Sequence, residues 1–178
     1  MIVSRWLYNI ISYSRLKSVG NNVRLSPWGS ITRPQELEIG SNVFIARHYN
    51  ISARDMKIGN DVMIGPRFMA ECDDHKFDSI GHTMYSIQKH RKIAKIVIEN
   101  DVWIGGNVTI LKGVVVREGS IIGAGSVVTK STTPYSINYG NPCKFRRNRF
   151  DDIQLKEHLN NVNSSYTLNS IKKSMRSD

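Results

Sequence analysis

The feature that most constrains this chain is a period of six. Ile98, Ile104, Ile110, Val116, Ile122 and Val128 follow one another at six-residue intervals. Four residues after each come Val102, Val108, Val114, Ser120, Ser126 and Thr132, all β-branched or small, and Gly105 and Gly123 directly follow two of the aliphatic residues. An amphipathic helix repeats its apolar residues at three and four, and a half-buried strand alternates at two, so a sustained step of six fits neither. It fits a solenoid in which each hexapeptide lays down one short strand and one corner. Three hexapeptides close a triangular coil, coils stack about 4.8 Å apart, and the aliphatic residues line the inside.

The first half carries the same pattern less regularly: Ile39, Ile45 and Ile51, then, after one extra residue, Ile58 and Ile64. Val19, Leu25 and Ile31 read as a degenerate first coil. Ile64 and Ile98 stand 34 positions apart, which is not a multiple of six, so the chain leaves the coil over about 71–93 and returns. The expected organisation is an N-terminal amphipathic helix over 1–18, a β-solenoid over 19–143, and a basic segment with a C-terminal helix and frayed tail over 144–178. Trp6, Leu7, Tyr8, Ile10 and Ile11 among Arg5, Arg15 and Lys17 suit either a cap on the open end of the solenoid or a contact with an anionic membrane.

Composition narrows the function. With 178 residues, 40% hydrophobic and 22% charged, one domain with a buried core is expected and a disordered chain is excluded. No run approaches the roughly 20 apolar residues of a membrane span and no signal-peptide core is visible, so a cytoplasmic protein is expected. Two cysteines, Cys72 and Cys143, read as free thiols. A net charge of +10 asks for an anionic partner, and Lys144, Arg146, Arg147 and Arg149 cluster without any nucleic-acid-binding signature. A phosphate-bearing small molecule answers that charge as well as a nucleic acid does, and without such a signature no nucleic-acid partner is assigned.

The excursion holds two of the five histidines in the segment Glu71-Cys-Asp-Asp-His-Lys-Phe-Asp-Ser-Ile-Gly-His-Thr-Met-Tyr. Loops inserted in a regular scaffold are where function concentrates. His75 stands out because transfer of a group to a hydroxyl needs a base that is neutral near pH 7. Position by itself leaves it equally an exposed loop histidine. Cys72, three residues earlier, lacks the partner ligands of a structural zinc site. Trp103 immediately precedes an inward aliphatic residue and should project from the coil. Gly106 and Ala124 are eighteen residues apart, one turn of the prism, so they should stack and leave a smooth groove for a long thin ligand.

The stretch Ile98-Glu-Asn-Asp-Val-Trp-Ile-Gly-Gly-Asn-Val-Thr-Ile-Leu-Lys-Gly, continued by Ile122-Gly-Ala-Gly-Ser-Val-Val-Thr-Lys and Gly140-Asn-Pro-Cys-Lys, resembles the hexapeptide-repeat acyltransferases. The resemblance covers about 39–147 and is greatest to sugar O-acetyltransferases, including those that decorate bacterial surface polysaccharides. It implies an all-β fold, a left-handed parallel β-helix; the handedness comes from the resemblance, not from the spacing. It implies an acetyl-CoA-dependent O-acetyltransferase without metal, acting by direct transfer to a sugar hydroxyl, with an O-antigen or capsule sugar as preferred acceptor. His75 is then the general base, with Asp55, Asp74 and Trp103 walling the acceptor site. Gly106 and Ala124 hold the pantetheine, and Thr129, Lys130, Lys144 and Arg147 meet the adenosine phosphates of the cofactor. A homotrimer with active sites between subunits is also implied. Tyr139 departs from the small residue usual before Gly-Asn-Pro, so it crowds the groove or stacks on adenine. The competing readings are an N-acyltransferase acting on an amino sugar, a γ-carbonic-anhydrase-like metalloenzyme using His75, His82 and His90, and a non-enzymatic solenoid that binds an anionic glycan or lipid surface.

Overall fold

The computed structural model describes residues 13–87 and 94–175. Its core is a three-sided parallel solenoid in which each hexapeptide supplies one strand. The first coil is β1 (Ser18–Val19), β2 (Arg24–Leu25) and β3 (Ser30–Thr32), and the second is β4 (Leu37–Ile39), β5 (Phe44–Ile45) and β6 (Asn50–Ser52). The third is β7 (Met56–Ile58), β8 (Met63–Ile64) and β9 (Met69–Glu71). After the excursion come β10 (Val97–Ile98), β11 (Trp103–Ile104) and β12 (Thr109–Leu111), then β13 (Val115–Val116), β14 (Ile121–Ile122) and β15 (Val127–Val128). Every third strand of these coils pairs in parallel, giving three faces: β1-β4-β7-β10-β13, β2-β5-β8-β11-β14 and β3-β6-β9-β12-β15.

The period of six is the period of the core. Ile98 stacks between Ile58 and Val116, Ile104 between Ile64 and Ile122, and Ile110 between Ala70 and Val128, all buried. The second column of the sequence, Val102, Val108 and Val114, is buried too, and its polar continuation Ser120, Ser126 and Thr132 is buried with hydrogen bonds. The Ser120 and Thr132 hydroxyls share a bond of 2.9 Å, and Ser126 Oγ donates to the Gly123 carbonyl at 2.6 Å. Buried hydroxyls need such partners, and the last coil supplies them.

The corners differ in what they tolerate. Between the first and second faces, the left-handed position of successive coils is Asn22, Asn42, Asp61, Asp101 and Gly119, residue types that visit this region at little cost. Their side chains bond along the stack, Asn22 Nδ2 to Asn42 Oδ1 at 3.0 Å and Asn42 Nδ2 to Asp61 Oδ1 at 2.9 Å. Between the third face and the first, every departure from the period accumulates: a short 3₁₀ turn at Pro34–Glu36, the extra residue before Met56, and the excursion from Cys72 to Ile96.

The ends are closed by different means. The expected N-terminal helix falls mostly on residues 1–12, outside the described ones; Tyr13 and Leu16 pack on the core, and the Tyr13 hydroxyl donates to the Val23 carbonyl. At the other end β16 (Ser136–Tyr139) adds in parallel to β14, and β17 (Lys144–Asn148) turns back antiparallel, so the basic segment is a strand. Two helices follow, α1 (Asp152–Asn161) and α2 (Leu168–Ser174). The second replaces the expected frayed tail. Thr167 and Ser170 close its first turn reciprocally, and Ile171 is buried with Leu155, Leu159 and Tyr135. No helix among the described residues is long and apolar enough to cross a membrane.

Candidate active site

The corner between the second and third faces carries the predicted groove. Ile104 pairs with Ile122 and Thr109 with Val127, so Gly106 and Ala124 sit one above the other. The Gly125 amide donates to the Gly106 carbonyl at 2.9 Å, and a β-carbon on Gly106 would meet the Pro66 ring at 3.4 Å. The line of small residues therefore runs from Ala124 through Gly106 onto Pro66. Trp103, on β11 beside it, is 53% exposed and stands between Met63 and Ile121 on the outer surface of the second face, projecting as expected.

At the C-terminal end of the solenoid, Thr129, Lys130 and Lys144 line one cavity of about 790 Å³ together with Asn138, Phe145 and Asn148. The last three are missed by sequence reasoning, because the hairpin that brings them in has no hexapeptide period. Two ammonium groups above a part-apolar floor suit an anionic ligand with a flat ring. Arg147 is not in that lining. It is registered opposite Ile137, exposed, and its guanidinium donates to the Asn148 carbonyl at 3.3 Å. Tyr139 lies over Gly123, where a β-carbon would come within 2.7 Å of its Cβ, and its ring is covered by the Arg146 guanidinium at 4.6 Å.

His75 belongs to the remaining corner, where the excursion leaves β9. Its backbone amide donates to Asp74 Oδ1 at 2.9 Å. Asp74 is held by Lys112 at 3.0 Å, and Asp73 by Arg54 at 3.0 Å. Arg54 and Lys112 are also absent from the sequence-based site, although the period places them on the same corner in the coils below and above the excursion. Opposite charge at one corner of successive coils is the signal that would have found them. Asp55 sits beside them, exposed, with a φ of 51°. Cys72 is buried at the base of the loop, and burial pushes its thiol up from the ordinary value, which disfavours a thiolate nucleophile. Among the described residues no three His, Cys, Asp or Glu side chains converge on a metal position; His90 is outside those residues.

The chain thus brings the predicted residues together in two sets. Trp103, Gly106 and Ala124 share one region that leads towards the Lys130 and Lys144 cavity, while His75, Asp74 and Asp55 share another corner of the triangle.

The pattern of the bacterial transferase hexapeptide family (six repeats) matches residues 95–130. A probable macrolide acetyltransferase of Lysinibacillus sphaericus is 38% identical over 128 residues, 63% of this chain and 70% of that protein. The chain belongs to the hexapeptide-repeat acetyltransferases. Other relatives of this family share less of their length: the galactoside O-acetyltransferase of Escherichia coli is 32% identical over 139 residues, 73% of this chain and 63% of its own. A putative acetyltransferase of Staphylococcus aureus matches over 32% of its length. Among solved structures, a hexapeptide-repeat acetyltransferase of Vibrio cholerae in complex with acetyl coenzyme A superposes with a TM-score of 0.74 at 26% identity, covering 85% of this chain and 80% of that one. The three-sided solenoid is the left-handed β-helix of these hexapeptide-repeat enzymes.

Proposed function

We propose that this acetyltransferase moves an acetyl group from acetyl-CoA to a sugar hydroxyl, acting on a bacterial surface polysaccharide or its precursor. One observation carries the reading: the line Pro66, Gly106, Ala124 leads along the solenoid towards a cavity lined by Thr129, Lys130 and Lys144. A thin pantetheine arm fits along such a line, and the cofactor's phosphates need cations at its end. The galactoside in the name of the Escherichia coli relative and the acetyl-CoA of the Vibrio cholerae structure support the two ends of the assignment.

In this mechanism the His75 imidazole takes the proton of the acceptor hydroxyl as its oxygen attacks the thioester carbonyl carbon. A backbone N–H at Gly106 stabilises the negative charge that develops on the carbonyl oxygen. The carbon–sulfur bond then breaks, the coenzyme A sulfur receives the proton from the imidazolium, and an acetyl ester remains on the sugar. Asp74, gripped by Lys112, fixes the backbone of the base, while Asp55 and Trp103 wall the acceptor. Because His75 and the groove lie on different corners, the site is completed between copies of the chain in a homotrimer, His75 from one facing Gly106 of its neighbour. Reliance on acetyl-CoA suits a cytoplasmic enzyme.

The test is release of coenzyme A thiol across a panel of surface-polysaccharide sugars, with wild type and His75→Ala compared and coenzyme A binding followed by thermal shift. Acceptor-dependent turnover lost by a folded His75→Ala protein that still binds coenzyme A is the expected result. Absence of coenzyme A binding by the wild type overturns the reading.

A further inference from the structure

The corner that carries Gly106 and Ala124 continues below them, and there it changes character. Its left-handed positions are Trp28, His48, Arg67, Asn107 and Gly125, with φ of 69°, 63°, 57°, 56° and 73°. The pairs Leu25 with Ile45 and Ser30 with Asn50, then Ile45 with Ile64 and Asn50 with Met69, put Trp28, His48 and Arg67 in one column, and the Arg67 amide donates to the Arg47 carbonyl at 3.0 Å. The Asn107 amide donates to the Pro66 carbonyl at 2.8 Å, so the column runs unbroken into the groove.

A tryptophan and an arginine are poor choices for a left-handed turn, where a β-carbon crowds the backbone, whereas histidine reaches it more readily. The corner between the first and second faces shows what the fold uses when the turn is all that matters: Asn, Asn, Asp, Asp and Gly. Here the strain is accepted at Trp28 and Arg67, either side of His48, and in each of the three coils the side chain gained is exposed, Trp28 at 76%. Residues held in a disfavoured conformation and turned to solvent are a mark of binding rather than of stability.

The chemistry of the column is specific. Over its five coils the corner reads Ser26-Pro-Trp-Gly29, Ala46-Arg-His-Tyr49, Gly65-Pro-Arg-Phe68, Gly105-Gly-Asn-Val108 and Gly123-Ala-Gly-Ser126, with Arg47, His48 and Arg67 as its basic side chains and no carboxylate. Coils stack at about 4.8 Å, so Trp28 lies roughly 10 Å from Arg67. An indole face takes the apolar face of a sugar ring, and guanidinium groups take carboxylate or phosphate in paired hydrogen bonds.

We infer that Trp28, His48 and Arg67 form an acceptor-binding strip for an anionic oligosaccharide, which lies along the N-terminal continuation of the groove and delivers one of its sugars to the reacting centre. This rests on the sugar acetyltransferase reading above and adds to it the charge and extended shape of the acceptor.

The probes are trigalacturonate for a carboxylate-bearing chain, a phosphorylated maltotriose for a phosphate-bearing one, and neutral maltotriose as control, titrated against tryptophan fluorescence and by calorimetry at two salt concentrations. Trp28→Asn and Arg67→Asn place a left-handed-tolerant residue at each position. The expected result is wild-type binding of one anionic probe at least tenfold tighter than of maltotriose, weakened by salt. Each variant should weaken it tenfold or more, while its melting temperature rises and coenzyme A binding stays. A merely structural role would not separate stability from affinity in this way. Equal affinity for maltotriose, equal binding by the variants, or no binding of either anionic probe overturns the strip. Coenzyme A binding and turnover of a small sugar, measured on the same samples, tell that outcome apart from failure of the acetyltransferase reading.

Discussion

Gly105 lies so close under the next coil that a β-carbon on it would fall 2.6 Å from the backbone nitrogen of Ala124. The obstacle is main chain, which cannot swing aside as a long side chain can. Gly105→Ala is therefore expected to push two coils apart at the groove. Overpacking of this kind costs about 1–3 kcal/mol, a fall in melting temperature of about 3–10 °C for a chain of this size. Thermal denaturation followed by circular dichroism checks this.

The two cavity lysines give a kinetic prediction. Lys130→Ala and Lys144→Ala should each raise KM for acetyl-CoA roughly tenfold, the worth of a lost charge-assisted contact, with kcat little changed. The KM of the wild type should also rise with salt more steeply than that of either variant. Steady-state kinetics at low and high ionic strength decide it; an unchanged KM in both variants removes the phosphates from this cavity.

In the proposed mechanism Asp74 acts on His75 through the backbone. With its carboxylate accepting the His75 amide and pairing with Lys112, Asp74→Ala should loosen the loop and lower kcat about tenfold while KM for acetyl-CoA holds. Lys112→Ala should fall in the same direction by less. The split between kcat and KM separates positioning from cofactor binding.

Alkaline pH should unseat the C-terminal cap. Burial, and then the hydrogen bond to the Glu118 carboxylate at 2.7 Å, raise the Tyr135 phenol well above its ordinary value. Above pH of about 10 the unfolded chain loses this proton while the folded chain keeps it, so stability is full below that pH and declines as pH rises beyond it. Tyr135→Phe should flatten that decline. At neutral pH it should also cost about 1–3 kcal/mol, because Glu118 keeps only part of its donor set, among them the Ser164 hydroxyl. Urea unfolding at pH 7 and above pH 10 measures both effects.

How much of this was legible in the sequence depends on what the period of six can encode. Ile98 to Val128 announce the inward column because each coil needs a branched aliphatic at the same place. Ala70 fills that place in β9 and escapes a search for aliphatics, so the aliphatic column breaks off at Ile64, one strand before the chain leaves the coil. The groove follows from arithmetic, since eighteen residues make one coil. The Asn138, Phe145 and Asn148 walls do not, because an antiparallel hairpin carries no hexapeptide register. Tyr135 and Ser164 bond the Glu118 carboxylate, Tyr166 bonds Glu99 from 67 residues away, and the Glu118 amide joins the two groups by donating to the Glu99 carboxylate at 2.9 Å; nothing local in any of their segments reports a partner so far away.

The uneven corners have a further consequence. Along two edges of the prism each coil rests backbone on backbone, so a residue added there would shift every strand beyond it. The third edge has already absorbed a 3₁₀ turn, a single residue and a whole loop while the faces beside it keep their register. Length can thus change on one edge without disturbing the other two. A scaffold of this shape can acquire new acceptor loops by lengthening one seam, and the groove proposed for the acyl donor is spared because it is cut into another.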